Sequence, residues 1–142
     1  MGKIIAIANQ KGGVGKTTTA INLSAYLGQK GKKALVIDSD PQGNTSSGLG
    51  IDKDNVELST YDCLVDDTSF KEEVIETEYK NLWVSPGNMN LAGAELELVD
   101  VPEREYILKK KLSEVRDDYD FIIIDCPPSL GLITLNAFAA SD

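Results

Sequence analysis

A glycine-rich stretch near the start of the chain carries the residues best suited to bind phosphate. Glycines allow a tight turn whose N–H groups point inward at an anion, and a helix beginning there directs its positive end to the same place. Lys16 adds a full positive charge, and the Thr17 hydroxyl is the kind of oxygen ligand that Mg²⁺ takes. The stretch therefore predicts a site for a polyphosphate and magnesium, formed by Lys11, Gly12, Gly13, Val14, Gly15, Lys16, Thr17 and Thr18.

The stretch departs at one position from the ordinary phosphate-binding pattern G-x-x-x-x-G-K-[ST]. Gln10 stands where the first glycine belongs, whereas Gly15-Lys16-Thr17 matches the second half of the pattern. The competing interpretation is a flexible turn followed by a helix with a chance lysine and threonine. A buried strand before the stretch, a helix after it and an acidic strand end downstream all favour the phosphate-binding interpretation.

Three carboxylates follow two predicted strands. Asp38 and Asp40 come at the end of the apolar run 34–37, and Asp125 comes directly after the apolar run 121–124. Ligands of open α/β sheets bind at the carboxyl ends of the strands, where a carboxylate can hold Mg²⁺ directly or through water. We therefore predict Thr17, Asp38 and Asp125 as metal ligands, with one of Asp38 and Asp40 orienting an attacking water. Each carboxylate could instead cap a helix or a turn.

Alternating apolar and helical patterns predict an α/β fold. Short β-branched runs predict buried strands, and stripes at helical spacing predict helices. The predicted strands are 3–8, 34–37, 82–84 and 121–124, and the predicted helices begin at Thr17 and Pro102 and cover 91–98 and 130–140. Residues 39–60 are predicted to be a long loop. The result is one nucleotide-binding domain over 1–142, with a doubly wound, mostly parallel sheet and helices on both faces. Because the chain stops after a helix where another strand is expected, we interpret it as the N-terminal portion of a longer fold.

Charge and composition restrict the partners. The net charge is −9, with +4 on residues 1–50 and −13 on residues 51–142. The acidic remainder argues against DNA binding by this part alone and is typical of a solvated surface. Cys63 and Cys126 are far apart and the chain has no histidine, which disfavours zinc and predicts two free, buried thiols. With no run of eighteen apolar residues, we predict no membrane association and a cytoplasmic protein.

Three runs together resemble one family of ATPases. They are Lys11 to Thr17, which resembles the deviant Walker A motif, Val36 to Asn44 with its Asp-Pro-Gln-Gly-Asn sequence, and Ile124 to Ser129. The chain is similar over its whole length to ParA/Soj-type chromosome- and plasmid-partitioning ATPases. This resemblance implies a P-loop NTPase fold, with ATP and Mg²⁺ as cofactors and slow ATP hydrolysis as a switch.

The resemblance also implies roles for individual residues. Lys16 and Thr17 match the phosphate and magnesium ligands, Asp40 matches the residue that positions the hydrolytic water, and Asp125 matches the carboxylate near the metal. Lys11 matches the signature lysine that reaches the partner's nucleotide in an ATP-bound homodimer. Lys11, Lys16 and Asp40 are thus the predicted catalytic residues.

The family's partners follow from the same resemblance. They are a second copy of the chain, at whose contact Gly12 matches a glycine that must stay small, a ParB-type activator, and DNA bound without sequence preference. A second cation supplied by Lys11 would stabilise the charge of phosphoryl transfer, although Lys11 could instead serve its own nucleotide or face solvent. The alternative function is an interaction module or fragment that folds or dimerises without turning over ATP. A redox-linked relative is disfavoured because paired cluster cysteines are missing.

Overall fold

The computed structural model describes residues 2–8, 15–129 and 131–142. These residues form a five-stranded sheet in the order β1-β5-β2-β4-β3. The strands are β1 (Lys3–Ile7), β2 (Ala34–Asp38), β3 (Ile75–Glu76), β4 (Leu82–Ser85) and β5 (Phe121–Asp125). Only the short β3 pairs antiparallel, and the other pairings are parallel. The predicted mostly parallel sheet is confirmed.

Helices connect the strands. They are α1 (Lys16–Gln29), α2 (Asn44–Gly48), α3 (Thr60–Val65), α4 (Phe70–Glu73), α5 (Leu91–Glu97), α6 (Ile107–Ser113) and α7 (Leu132–Ala140), with 3-10 turns at Lys53–Asn55, Arg104–Tyr106 and Arg116–Asp118. Within the described ranges, no helix combines the length and apolar composition needed to cross a bilayer.

The sheet is covered on both faces, as predicted. Successive residues of the fully buried β2 alternate between two apolar clusters, because side chains of a strand point alternately to opposite faces. Val36 packs in the cluster that Ile21 of α1 completes. Leu35 packs in the larger cluster, which includes Leu112 of α6 and Ile133 of α7. This burial explains why the strands are continuous apolar runs.

Two element predictions were wrong. Residues 39–60 contain a short helix, α2, and a 3-10 turn. The helix predicted to start at Pro102 begins at Ile107, because Glu103 has a left-handed backbone (φ 55°) that a right-handed helix cannot include, and a 3-10 turn follows it.

The strand order brings the predicted functional residues to one edge. The last residues of β2 and β5, Asp38 and Asp125, are paired in register, and Ile7 at the end of β1 pairs with Asp125 from the other side. Helix α1 begins at Lys16, after β1. The carboxyl ends of three parallel strands and the start of α1 therefore surround one site.

Candidate functional site

Lys16 is the first residue of α1 and is buried. Gly15 precedes it with φ 73°, a left-handed conformation that favours glycine, and the Gly15 carbonyl accepts a hydrogen bond from Thr19 at 2.8 Å. The reason for glycine is the backbone angle rather than crowding, because an added Cβ would meet no atom of the described residues within 4 Å. The start of the helix therefore directs a lysine inward beside the helix's own positive end.

Lys16 is paired with carboxylates from two other elements. Its Nζ donates to Asp125 Oδ1 and lies 3.7 Å from Asp40 Oδ2. The side chains of Lys16 and Asp125 are 3% and 1% exposed. A buried ammonium group requires such compensation because an isolated charge is strongly disfavoured in the protein interior. The structure thus brings together three of the residues that the sequence singled out.

Asp125 has a second partner that the sequence did not indicate. The Thr45 hydroxyl, in α2, donates to Asp125 Oδ2, and Thr45 is fully buried. The Asp125 carbonyl is fixed separately by Ser39, whose N and Oγ donate to it at 3.0 and 2.7 Å. The polar residues after Asp40 were the available signal, but the sequence does not show that one of them lies beside Asp125 in the fold.

Asp38 is bound by protein donors. Its Oδ2 accepts from Ser46 N at 2.9 Å and Ser46 Oγ at 2.6 Å, and its Oδ1 accepts from Asp40 N at 3.2 Å. Burial raises the pKa of Asp38 to about 6, although the hydrogen bonds from Ser46 oppose the shift. Ser46 lies in the first turn of α2, so this contact supports the capping interpretation of Asp38. Its predicted role as a metal ligand stays a prediction.

Asp40 faces the same site and is 7% exposed. Its Oδ1 accepts a hydrogen bond from Gln42 N at 3.0 Å, which fixes the turn that follows β2, while Oδ2 is the atom near Lys16. The carboxylate is therefore held at the edge of the site by its own loop.

Gly87, two residues after the end of β4, allows the chain to approach Asp38 and Asp40 at the carboxyl end of β2. Its N–H donates to Ser46 Oγ at 3.0 Å. A Cβ at this position would lie 2.8 Å from the carbonyl oxygens of both Asp38 and Asp40. Gly87 is not among the residues that the sequence predicts for the site.

Magnesium fits this donor set as an ion that takes only part of its ligands from the protein. In the described part of the chain no group of three or more His, Cys, Asp or Glu side chains could hold a metal ion. Thr17, partly buried in the first turn of α1, and Asp125 offer oxygen atoms, which Mg²⁺ prefers. Such a site suits a metal that keeps waters and phosphate oxygens rather than one enclosed by protein. Thr18 is exposed, and the predicted residues 11–14 lie outside the described residues.

Both cysteines are free and buried, as predicted. Burial raises the pKa of Cys126 to about 12, with the adjacent Asp125 adding to the shift, and burial also raises the pKa of Cys63. The raised pKa values favour the protonated thiol at both positions.

A lysine at a helix start, facing a carboxylate at the end of a neighbouring parallel strand, defines a domain of the P-loop NTPase class. The family model for an AAA domain matches residues 2–142, and the chain belongs to that family. The chain is 58% identical over 142 residues to the sporulation initiation inhibitor protein Soj of Bacillus subtilis, covering 56% of that protein. It is 54% identical to the chromosome-partitioning ATPase Soj of Treponema pallidum, covering 55%.

A solved structure is similar over the same extent. It is cobyrinic acid a,c-diamide synthase from Mycobacterium smegmatis with a bound ATP analogue and magnesium, at TM-score 0.95 and 41% identity. The match covers 99% of this chain and 57% of that one. The chain thus spans about half the length of the relatives it matches.

Proposed function

We propose that this chain is the nucleotide-binding domain of a ParA-type partitioning ATPase, which binds Mg-ATP and hydrolyses it slowly. The observation that carries the proposal is the buried Lys16 at the start of α1, held between Asp125 and Asp40. The similarity to Soj proteins supports partitioning as the process. The ATP analogue and magnesium bound to the similar synthase support the choice of ligand.

Lys16 and Thr17 take the phosphate end of the nucleotide in this proposal. The Lys16 ammonium group exchanges a carboxylate partner for phosphate oxygens, and the N–H groups of the first turn of α1 support it. Thr17 and Asp125 would hold the magnesium ion, which would neutralise charge on the phosphates. Asp40 orients the attacking water from its position at the edge of the site.

The remaining assignments depend on the family. Lys11 acts from one subunit on the nucleotide of the other, with Gly12 at the contact, so that hydrolysis depends on an ATP-bound homodimer. A ParB-type protein stimulates the reaction, and the complete protein binds DNA without sequence preference in the cytoplasm. The net charge of −13 on residues 51–142 supports placing the DNA-binding surface outside this part.

A titration of the protein with ATP in the presence of Mg²⁺ tests the proposal. Lys16→Ala should weaken ATP binding at least about 100-fold, because it removes two or more charge-assisted hydrogen bonds to phosphate. Calorimetry measures the affinity, and slow phosphate release separates an ATPase from the alternative of a module that binds without turnover.

Lys32→Ala is the matched control. Lys32 is exposed beyond the far end of α1, a helix of 14 residues that is about 21 Å long, so its loss removes the same charge without touching the site. Equal ATP affinity in the Lys16→Ala variant and the native protein would overturn the assignment of the phosphate site.

A further inference from the structure

We propose that Thr45 is a positioning residue that holds the Asp125 carboxylate for magnesium; this inference rests on the proposed function. Thr45 belongs neither to the glycine-rich stretch nor to the strand-end acids, so the inference adds a new residue to the proposed magnesium site. The Thr45 hydroxyl donates to Asp125 Oδ2 across 80 residues of sequence, and both residues are buried.

Among the described residues, two side chains orient the Asp125 carboxylate. Lys16 Nζ binds Oδ1, and the Thr45 hydroxyl binds Oδ2. If Lys16 turns to phosphate, Oδ1 becomes available to a magnesium ion or to a water bound to it. Of the residues that the structure describes, Thr45 is then the contact that keeps the carboxylate from rotating, because Ser39 binds the Asp125 backbone carbonyl.

Helix capping does not account for the Thr45 hydroxyl. The first turn of α2 is capped by Asp38, which accepts hydrogen bonds from the N and Oγ of Ser46. Thr45 lies one residue earlier on the same helix and directs its hydroxyl to a different carboxylate. One turn of helix thus fixes the acids at the ends of two neighbouring strands.

The test compares Thr45→Val with Thr45→Ser. Valine keeps the shape and removes the donor, whereas serine keeps the donor. The measured quantity is the affinity for ADP by calorimetry, in Mg²⁺ and in excess EDTA, so that no turnover is involved. Mg²⁺ should increase the ADP affinity of the native protein by some factor, and we expect Thr45→Val to lower that factor about tenfold. The affinity of the variant for metal-free ADP should stay within about twofold of the native value. Thr45→Ser should restore the native Mg²⁺ dependence.

Thr60→Val is the matched control for loss of a buried threonine hydroxyl. Thr60 is also fully buried, and its hydroxyl binds Ser85 rather than a strand-end acid. It should leave the Mg²⁺ dependence at the native value. If Thr45→Val does not fold, Thr45→Ala removes the same donor without adding a methyl group and is measured instead.

The outcomes separate the inference from the function it rests on. Native protein that binds Mg-ADP, together with a Thr45→Val variant of unchanged Mg²⁺ dependence, overturns the role of Thr45 alone. An equal loss of affinity with and without Mg²⁺ also overturns it, since the effect would then be structural. Native protein that binds no nucleotide under either condition overturns the proposed function and this inference together.

Discussion

Charge balance around Lys16 determines what the site can do. An ammonium group that is 3% exposed is stable only beside negative charge, which Asp125 and Asp40 provide. A polyphosphate offers more negative charge than either carboxylate, so Lys16 can change partners without losing compensation. That exchange would leave Asp125 available to a cation at the moment when a nucleotide brings one.

A second buried carboxyl, Glu73, lies away from this site. It is 3% exposed, and Ser85 Oγ donates to its Oε1 at 2.7 Å. No described residue provides a hydrogen bond to its other oxygen. Burial raises the pKa of Glu73 from 4.5 to about 8, although the hydrogen bond from Ser85 opposes the shift. The folded protein therefore holds a proton on Glu73 more tightly than the unfolded chain does.

Glu73→Gln should make folding stability less dependent on pH. Because the pKa is raised on folding, the contribution of Glu73 is fully present below pH 4.5 and is lost as pH rises to about 8. The raised pKa of Asp38 also makes the free energy of unfolding fall as pH rises, but only up to about pH 6. Between about pH 6 and 8 the native free energy of unfolding should fall, and that of Glu73→Gln should stay nearly level. Urea unfolding across this range measures both.

The control is Glu72→Gln, which alters the neighbouring exposed acid. It should retain the native pH dependence. Parallel curves for the native protein and Glu73→Gln would show that the carboxyl is ionised in the folded state.

Among the elements, α2 depends most on the rest of the fold. It has five residues, mostly small and polar, and isolated helices of that length are unstable in water. Its position is set by the contacts of Ser46 with Asp38 and Gly87 and of Thr45 with Asp125. Helix α2 therefore links two strand-end acids to the segment that follows β4.

Gly87→Ala should destabilise the protein by about 1–3 kcal/mol, the usual range for overpacking. The added Cβ would lie 2.8 Å from two backbone oxygens and 2.9 Å from Asp38 Cγ, so the ends of β2 and β4 must separate. Thermal or urea unfolding measures the loss.

Gly93→Ala is its control. Gly93 lies in α5, where, among the described residues outside the helix backbone, a Cβ would meet only the end of the Glu97 side chain at 3.6 Å, and alanine favours helix. It should therefore be neutral or stabilising. Similar effects of the two substitutions would contradict the close approach at Gly87.

The sequence predicts the elements that their own residues stabilise and misses those that depend on distant contacts. Strands β2 and β5 are predictable because burial on both faces requires continuous apolar runs, and α1 because its pattern follows a glycine turn. Helix α2 is not predictable from Asn44 to Gly48, because its stabilising contacts come from residues distant in sequence or across the sheet. For the same reason Lys16, Asp40 and Asp125 could be found from their motifs, whereas Thr45 could not.

At the scale of the whole molecule, the order of the strands creates the site. Strand β5 lies between β1 and β2, although it is last in sequence, and this placement puts Asp125 beside the start of α1. The sequence predicts parallel strands but not their order. Lys16 lies at this site, whereas Lys32 lies beyond the far end of α1, so the net charge of +4 on residues 1–50 is not concentrated at the site.

A crystal structure with a non-hydrolysable ATP analogue and Mg²⁺ tests the central claim most directly. We predict Lys16 Nζ at about 3 Å from a phosphate oxygen, with Asp125 Oδ1 turned to the metal or its water. A polyphosphate bound elsewhere, with the Lys16–Asp125 pair unchanged, would contradict the account.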